Sequence, residues 1–402
     1  MTEAVERHAS WLELFFDLVV VVAVAQLAHR LAHPTWADVG LFVVLYYAVW
    51  SVWTTLTLYS NAEAERTRTR GMLIGMFGIA VMAAAAPYVA HEIPTTHDTH
   101  DGWFIAAYIT CRVGASQTLQ RSGMVMTAWP AAQLGAGLIP WFVSTGVQGP
   151  ARYWLWGLGV VLDMIFSVLQ SRKPERLVSE MQRQGRRLEE REQRRARLSG
   201  RMPRPIGAVR AAVLDPAHLG ERLGLFVIIV IGEAVMQVVM AASDQSWGWE
   251  LGLAAVAGFG LVVSLWWLTL QYGVSAVPGA AERGLRAYIA LPAHFAMTVG
   301  ITATAAGLGA VAAHPAEHLH GGVGWVLGAG LAVYFAASTV LGVATGAERR
   351  WIWGWALPSV VAPLAVAAVS GLIAGWAVVA LVLAVTLWRV TYRPRVGAMQ
   401  PA

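Results

Sequence analysis

The 402-residue chain is 57% apolar and only 13% charged, with 19 tryptophans and a net charge of +5. A soluble domain carries about a quarter charged residues, so this composition excludes one and points to a chain whose excess apolar surface faces lipid. The positive charge does not indicate nucleic acid, because 13 of the 29 basic residues sit in one linker and most others flank apolar stretches, as membrane topology requires.

The predicted elements are all helical. Twelve stretches come close to the roughly 20 residues that cross a bilayer. They are 12–31, 39–60, 71–90, 102–120, 124–144, 152–170, 221–241, 250–272, 285–313, 322–344, 351–369 and 373–391. The first carries Glu13 and Asp17, four apart and therefore on one helix face. Acids at its start, and a similar run deep in the chain, argue against a cleaved signal peptide. The fourth contains Arg112 and the lone cysteine, Cys111, which excludes an intramolecular disulfide.

Orientation follows from arginine counts. Arg66, Arg68 and Arg70 follow span two, Arg283 and Arg286 follow span eight, Arg349 and Arg350 follow span ten, and Arg393 and Arg395 lie in the tail. The alternate loops 91–101, 242–249 and 314–321 hold no Lys or Arg, and only Arg30 and Arg152 fall on that sparse side. Both termini and the linker are therefore expected in the cytoplasm.

The linker, 171–216, interleaves five glutamates with its basic residues, Glu190 and Arg194 among them at helical spacing. Leu177, Met181, Leu188 and Leu198 form a broken apolar edge. Two readings stand: a surface helix lying on anionic lipid, and a solvated linker that only sets topology.

Two stretches suggest an internal repeat. Trp11 to Gln26 is echoed by Glu221-Arg-Leu-Gly-Leu-Phe-Val-Ile-Ile-Val-Ile-Gly-Glu233, and Trp50 to Tyr59 by Trp266 to Tyr272. Six spans per half give both halves one orientation, with a substrate cavity expected between them. The expected architecture is an all-α polytopic integral membrane protein of about twelve transmembrane helices, arranged as two six-helix parallel repeats. Residues 1–170 form the first repeat, 171–216 the cytoplasmic linker, 217–392 the second repeat and 393–402 the tail.

The stretch Glu13-Leu-Phe-Phe-Asp17-Leu-Val resembles the opening motif of the bacterial low-temperature-requirement protein A family. So does His218-Leu-Gly-Glu221-Arg222-Leu-Gly-Leu-Phe, running on to Glu233. Leu265-Trp266-Trp267-Leu, and Tyr288 with His294 and Gly300-Ile301, match in order, so the resemblance covers nearly the whole chain. Where that family tends to place an acid soon after the paired tryptophans this chain has Gln271, and the proline usual just after the histidine is absent. The resemblance implies a multi-spanning membrane protein and supplies no reaction.

Charges inside a bilayer cost about 2.5–3.5 kcal/mol each at a helix centre on insertion scales, so each needs a reason. The expected buried polar network is Glu13, Asp17, Arg112, Asp163, Glu221, Arg222, Glu233 and His294. At 1.5 Å per residue Asp17 lies about 8 Å from the cytoplasmic face, Asp163 about 10 Å, Arg112 and His294 about 13 Å and Glu233 about 18 Å. Arg112 is expected to pair with Asp163 or Asp17. That leaves Glu233 near only His294 and Gln237, which makes it the first candidate for a group that holds and releases a proton, with Asp17 second. A purely structural network is the alternative.

The loops 91–101 and 314–320 hold six of the eleven histidines. His97, His100, His314 and His318 are weak candidates for a divalent-cation site or an acid sensor, against incidental loop histidines. Trp11, Trp36, Trp103, Trp141, Trp154, Trp325 and Trp351 fit an interfacial belt, whereas Trp50, Trp53, Trp266 and Trp267 lie deeper, as pocket walls or as core. No nucleotide loop, nucleophile motif or cysteine pair is present, so no cofactor is expected. The expected partners are the bilayer itself, anionic lipids through the linker and an apolar or ionic small-molecule substrate. Three functions are compatible: a proton-coupled transporter or permease, a membrane-embedded enzyme on a lipid or isoprenoid, and a non-catalytic membrane factor.

Overall fold

A computed structural model describes residues 9–32, 34–63, 69–92, 98–199, 210–271, 285–319 and 322–391. The described residues are predominantly helical. In order come α1 (Trp11–His29), α2 (Trp36–Glu63), α3 (Thr69–Ala85), α4 (Asp101–Arg121), α5 (Ala131–Leu134), α6 (Leu138–Ser144), α7 (Pro150–Ser171) and α8 (Pro174–Ser199). The second half has α9 (Pro216–Ser243), α10 (Trp249–Trp266), α11 (Ala287–Ala313), α12 (Val323–Ala344), α13 (Arg349–Trp351), α14 (Leu357–Val369) and α15 (Gly375–Thr391). A π-helical turn, Trp267–Gln271, continues α10, and a second, Ile352–Ala356, joins α13 to α14.

Among the described residues, nine helical stretches are long and apolar enough to cross a membrane. Helix α4, which carries Arg112, is not one of them, and α15 has 17 residues. The expected fifth span, 124–144, is not one helix. It divides into a two-residue strand, β1 (Met124–Val125), then α5 and α6. The reason lies in its breakers: Pro130 precedes α5, and Gly135 ends it in the left-handed region at φ 53°. Strand β1 pairs in parallel with β2 (Arg210–Ala211) at the end of the linker, while α8 occupies most of that linker as one long helix.

Several helix starts are written locally. Ser10 and Glu13 form a reciprocal capping box on α1: the Ser10 N–H and hydroxyl donate to Glu13 Oε2 at 2.8 and 2.9 Å, and the Glu13 N–H donates to Ser10 Oγ at 3.3 Å. Thr35 and Asp38 repeat the device on α2. Asp215 caps α9 by accepting from the N–H groups of Ala217 and His218.

The chain forms two compact units, Met1–Phe16 with Ala48–Glu221, and Asp17–Tyr47 with Arg222–Ala402. Residues 17–47 thus group with the second half of the sequence. In the first unit Trp141 of α6 stacks on Trp156 of α7 with ring centres 4.7 Å apart. Beside that stack the backbones of Gly137 and Gly159 approach so closely that a Cβ on either would strike the other's carbonyl oxygen. In the second unit α11 and α12 meet in the same way through Gly300 and Gly330. These glycines replace side-chain bulk with backbone contact, a device common between helices in membranes.

The two arginines that depart from the expected charge alternation, Arg30 and Arg152, each have an acid nearby. Arg152 lies 2.8 Å from Asp101, and Arg30 lies 3.8 Å from Asp38.

Candidate functional site

In the first unit Glu13 has two roles. Its Oε2 serves the α1 cap and lies 3.5 Å from Nε2 of His218, while its Oε1 accepts a hydrogen bond from Ser60 at 2.7 Å. His218 is held from its other side, where the Asn61 side-chain amide meets Nδ1 at 3.0 Å. With that amide as donor, the ring proton sits on Nε2, facing Glu13. Asn61 also accepts from the Asp215 N–H at 2.8 Å and donates to the Asp215 carbonyl at 3.0 Å, tying the end of α2 to the α9 cap.

The same unit contains the second buried pair. Arg112 Nη2 lies 2.9 Å from Asp163 Oδ2, and both side chains are buried. The guanidinium also donates to the Ala131 carbonyl at 2.7 Å and to Thr55 at 3.3 Å. Asp163 Oδ1 accepts the Gly137 N–H at 2.8 Å. The broken fifth segment therefore has a function in packing: its irregular backbone supplies a carbonyl and an N–H to a charge pair that a continuous helix would have left less well hydrogen-bonded.

In the second unit Asp17 meets Arg222 in a two-pronged pair, Nη1 to Oδ2 at 2.6 Å and Nη2 to Oδ1 at 2.8 Å. The expected choice for Arg112 thus resolves to Asp163, and Asp17 takes a different arginine. Glu233 in α9 is 1% exposed. Its Oε1 accepts a hydrogen bond from Gln237 at 2.6 Å, and its Oε2 is buried with no hydrogen-bond partner. Gly309 of α11 lies against Gln237, and a Cβ there would sit 3.2 Å from Gln237 Cβ and 3.3 Å from its Oε1.

Other expectations change. His294 does not serve Glu233: its Nε2 bonds the Leu223 carbonyl at 3.1 Å and its ring meets Phe226 edge-on. Leu223 lies ten residues before Glu233 on the same helix, about 15 Å along its axis. Glu221 is exposed rather than buried, because one position along from Arg222 the helix face has turned outward. Trp266 and Trp267 are exposed at the helix surface, at 36% and 39%, not in a pocket. Trp50 and Trp53 are fully buried, and Trp50 packs edge-on against Trp129 as core. In the expected belt Trp11, Trp36, Trp103 and Trp154 are exposed, but Trp141 and Trp351 are buried.

Of the loop histidines, His97 lies outside the described residues. His100 sits edge-on to Tyr88, His314 lies 3.5 Å from Glu317 with both exposed, and His318 forms a backbone bridge with Ala374. Among the described residues no group of three His, Cys, Asp or Glu side chains converges on a metal-sized site.

An apolar cavity of about 580 Å³ opens in the second unit, lined by Phe42, Val43, Val299, Ala303 and Val333, with Trp36 and Trp325 among its walls. Nothing in the sequence pattern points to this cavity or to the roles of His218 and Asn61. The Ser10-x-x-Glu13 cap was legible and overlooked, since its spacing is the capping-box signature.

No solved structure matches the chain. An uncharacterized protein of Rhizobium meliloti (strain 1021), RA0937, is 25% identical over 329 residues, 77% of this chain and 71% of the relative. The profile of the bacterial low temperature requirement A proteins (LtrA) matches residues 8–387, and with nearly the whole sequence covered the chain belongs to that family of multi-pass membrane proteins.

Proposed function

We propose that this protein is a proton-coupled transporter or permease of a bacterial cell membrane, with Glu233 as the group that takes up and releases the proton. The observation carrying this reading is the contrast among the buried acids. Asp17 and Asp163 each face an arginine, and Glu13 faces His218 and Ser60, whereas Glu233 has one neutral amide beside it and a second oxygen with no hydrogen-bond partner. Ionisable groups inside membrane spans mark ion and substrate paths more often than they mark glue. Asp17, the second candidate, serves better as a fixed structural anion, because protonating it would leave Arg222 without its countercharge.

The test is reconstitution of the purified protein in liposomes loaded with a pH-sensitive dye. A proton flux that depends on a solute gradient and disappears in Glu233→Gln supports the reading. Folded wild-type protein that moves neither protons nor solute under any gradient removes it.

A second reading is favoured by the apolar cavity: a membrane-embedded enzyme acting on a lipid or isoprenoid chain. A cavity of about 580 Å³ lies within the range of small-molecule sites. It would predict a changed lipid or isoprenoid product in membranes that contain the protein. That product should be lost when Ala303 is enlarged to Phe and unaffected by the proton gradient.

A further inference from the structure

Arg389 lies near the end of α15 and is 1% exposed. Its guanidinium carbon sits 3.2 Å from the ring centre of Trp355, 5.0 Å from that of Trp351 and 5.5 Å from that of Phe335. One nitrogen, Nη2, donates to Ser338 Oγ at 3.0 Å. The other two, Nε and Nη1, are buried with no hydrogen-bond partner, and so is the indole Nε1 of Trp351. Among the described residues no carboxylate pairs with this arginine, in contrast to Arg112 and Arg222.

The energies do not balance with these contacts alone. Removing a guanidinium from water without a countercharge is costly even after relaxation. A cation–π contact returns only part of that cost and satisfies no N–H group. Three donor nitrogens, one of them on an indole, therefore face a shared deficit of acceptors. Trp355 itself belongs to the π-helical turn Ile352–Ala356, a feature that recurs at functional sites.

Position narrows the class of ligand. Arg389 is two residues from the end of α15 and Trp351 two residues from the start of α13, so both lie about 3 Å from their helix ends. Arg349 and Arg350 sit exposed beside Trp351 and add positive field at that end. The ends of membrane-crossing helices approach the level of lipid phosphates, and the arginine fork matches two phosphate oxygens. We propose that Arg389 and the Trp351 indole N–H form a binding site for a phosphate oxyanion, carried by an anionic lipid headgroup or present as free phosphate. The site is independent of Glu233, so its test stands or falls separately from the transporter reading.

The experiment uses the purified full-length protein in detergent. Native mass spectrometry after incubation with phosphatidylglycerol or phosphatidylcholine reads lipid retention, and a thermal shift with inorganic phosphate reads the free ion. The expected result is one retained phosphatidylglycerol, preferred about tenfold over phosphatidylcholine, with the preference lost in Arg389→Gln and weakened in Arg389→Lys. Stabilisation by inorganic phosphate without lipid retention, lost in Arg389→Gln, would assign the site to the free ion. If Arg389→Gln does not fold, Trp351→Phe decides, since it keeps the aromatic face and removes the donor; it should bind several-fold more weakly. A wild-type protein that prefers neither lipid and ignores phosphate, or a Trp351→Phe protein with unchanged binding, overturns the proposal.

Discussion

Arg222 grips Asp17 through two hydrogen bonds of 2.6 and 2.8 Å, across 205 positions of sequence and with the guanidinium fully buried. The two motifs that carry the family resemblance, Glu13-Leu-Phe-Phe-Asp17 and His218-Leu-Gly-Glu221-Arg222, are thus partners. The acid four residues earlier, Glu13, likewise meets the histidine four residues earlier, His218. Each motif places its two polar groups one turn apart, and each group has a complement on the other motif.

That pairing predicts strongly coupled substitutions. Asp17→Asn and Arg222→Gln should each destabilise the protein by about 3–5 kcal/mol, because either leaves a buried group without its complement. The double substitution Asp17→Leu with Arg222→Met should recover most of that loss, since an apolar pair of similar size needs no countercharge. Thermal unfolding in detergent measures this. Additive losses in the double variant would show that the pair is not a unit.

The Arg112–Asp163 pair depends on backbone as well as charge. Gly137→Ala should cost at least about 2 kcal/mol, because the new methyl would overlap the Gly159 carbonyl and the Asp163 carboxylate. Gly114 in α4 provides the control: nothing lies within 4 Å of its missing Cβ, so Gly114→Ala should be neutral or stabilise by up to about 1 kcal/mol through helix propensity. Unfolding midpoints of the two variants should therefore move apart. Equal midpoints would mean that the α6–α7 contact is looser than its geometry implies.

Much of the architecture was legible in the sequence because its signals are local. Long apolar runs specify membrane helices, and breakers such as Pro130 and Gly135 were visible within the fifth run, although length and hydropathy outweighed them. Which acid faces which cation was not legible. Asp17 and Arg222 are joined only by the fold, and hydropathy says nothing about partners at such separation. The expected burial of Trp266 and Trp267 fails for the same reason: the side of the helix that each occupies is set by packing, and it leaves both exposed. Nor does the sequence show that Arg389, two residues from the end of α15, is buried among aromatic rings.

Helix α8 separates the transporter reading from that of a membrane factor. Its 26 residues carry apolar Leu177, Val178 and Met181 amid many arginines, and Leu177 is buried. Such a helix can lie on an anionic membrane surface and aid retention there. Replacing 180–199 with a flexible Gly/Ser linker of equal length should leave solute-coupled proton flux within about twofold of wild type, because the buried acids lie elsewhere. Complete loss of flux, with normal folding and membrane insertion, would favour a role in which the linker itself is the working part.

Glu233 and Gln237 give the most discriminating comparison. Glu233→Gln keeps the shape of the side chain and an acceptor for Gln237, so the fold should persist with an unchanged unfolding midpoint. Proton coupling should nonetheless be abolished, because an amide cannot take up and release a proton in this range. Gly309→Ala tests the same point without touching the acid. Its added methyl would lie 3.2 Å from Gln237 Cβ and 3.3 Å from Oε1, tight enough to displace the amide. It should slow coupled flux several-fold while uncoupled solute binding persists, because the Gln237 hydrogen bond then no longer holds the Glu233 carboxyl in place. If flux survives Glu233→Gln and fails only in Gly309→Ala, the helix contact rather than the carboxylate is what transport requires, and Glu233 is a buried structural acid.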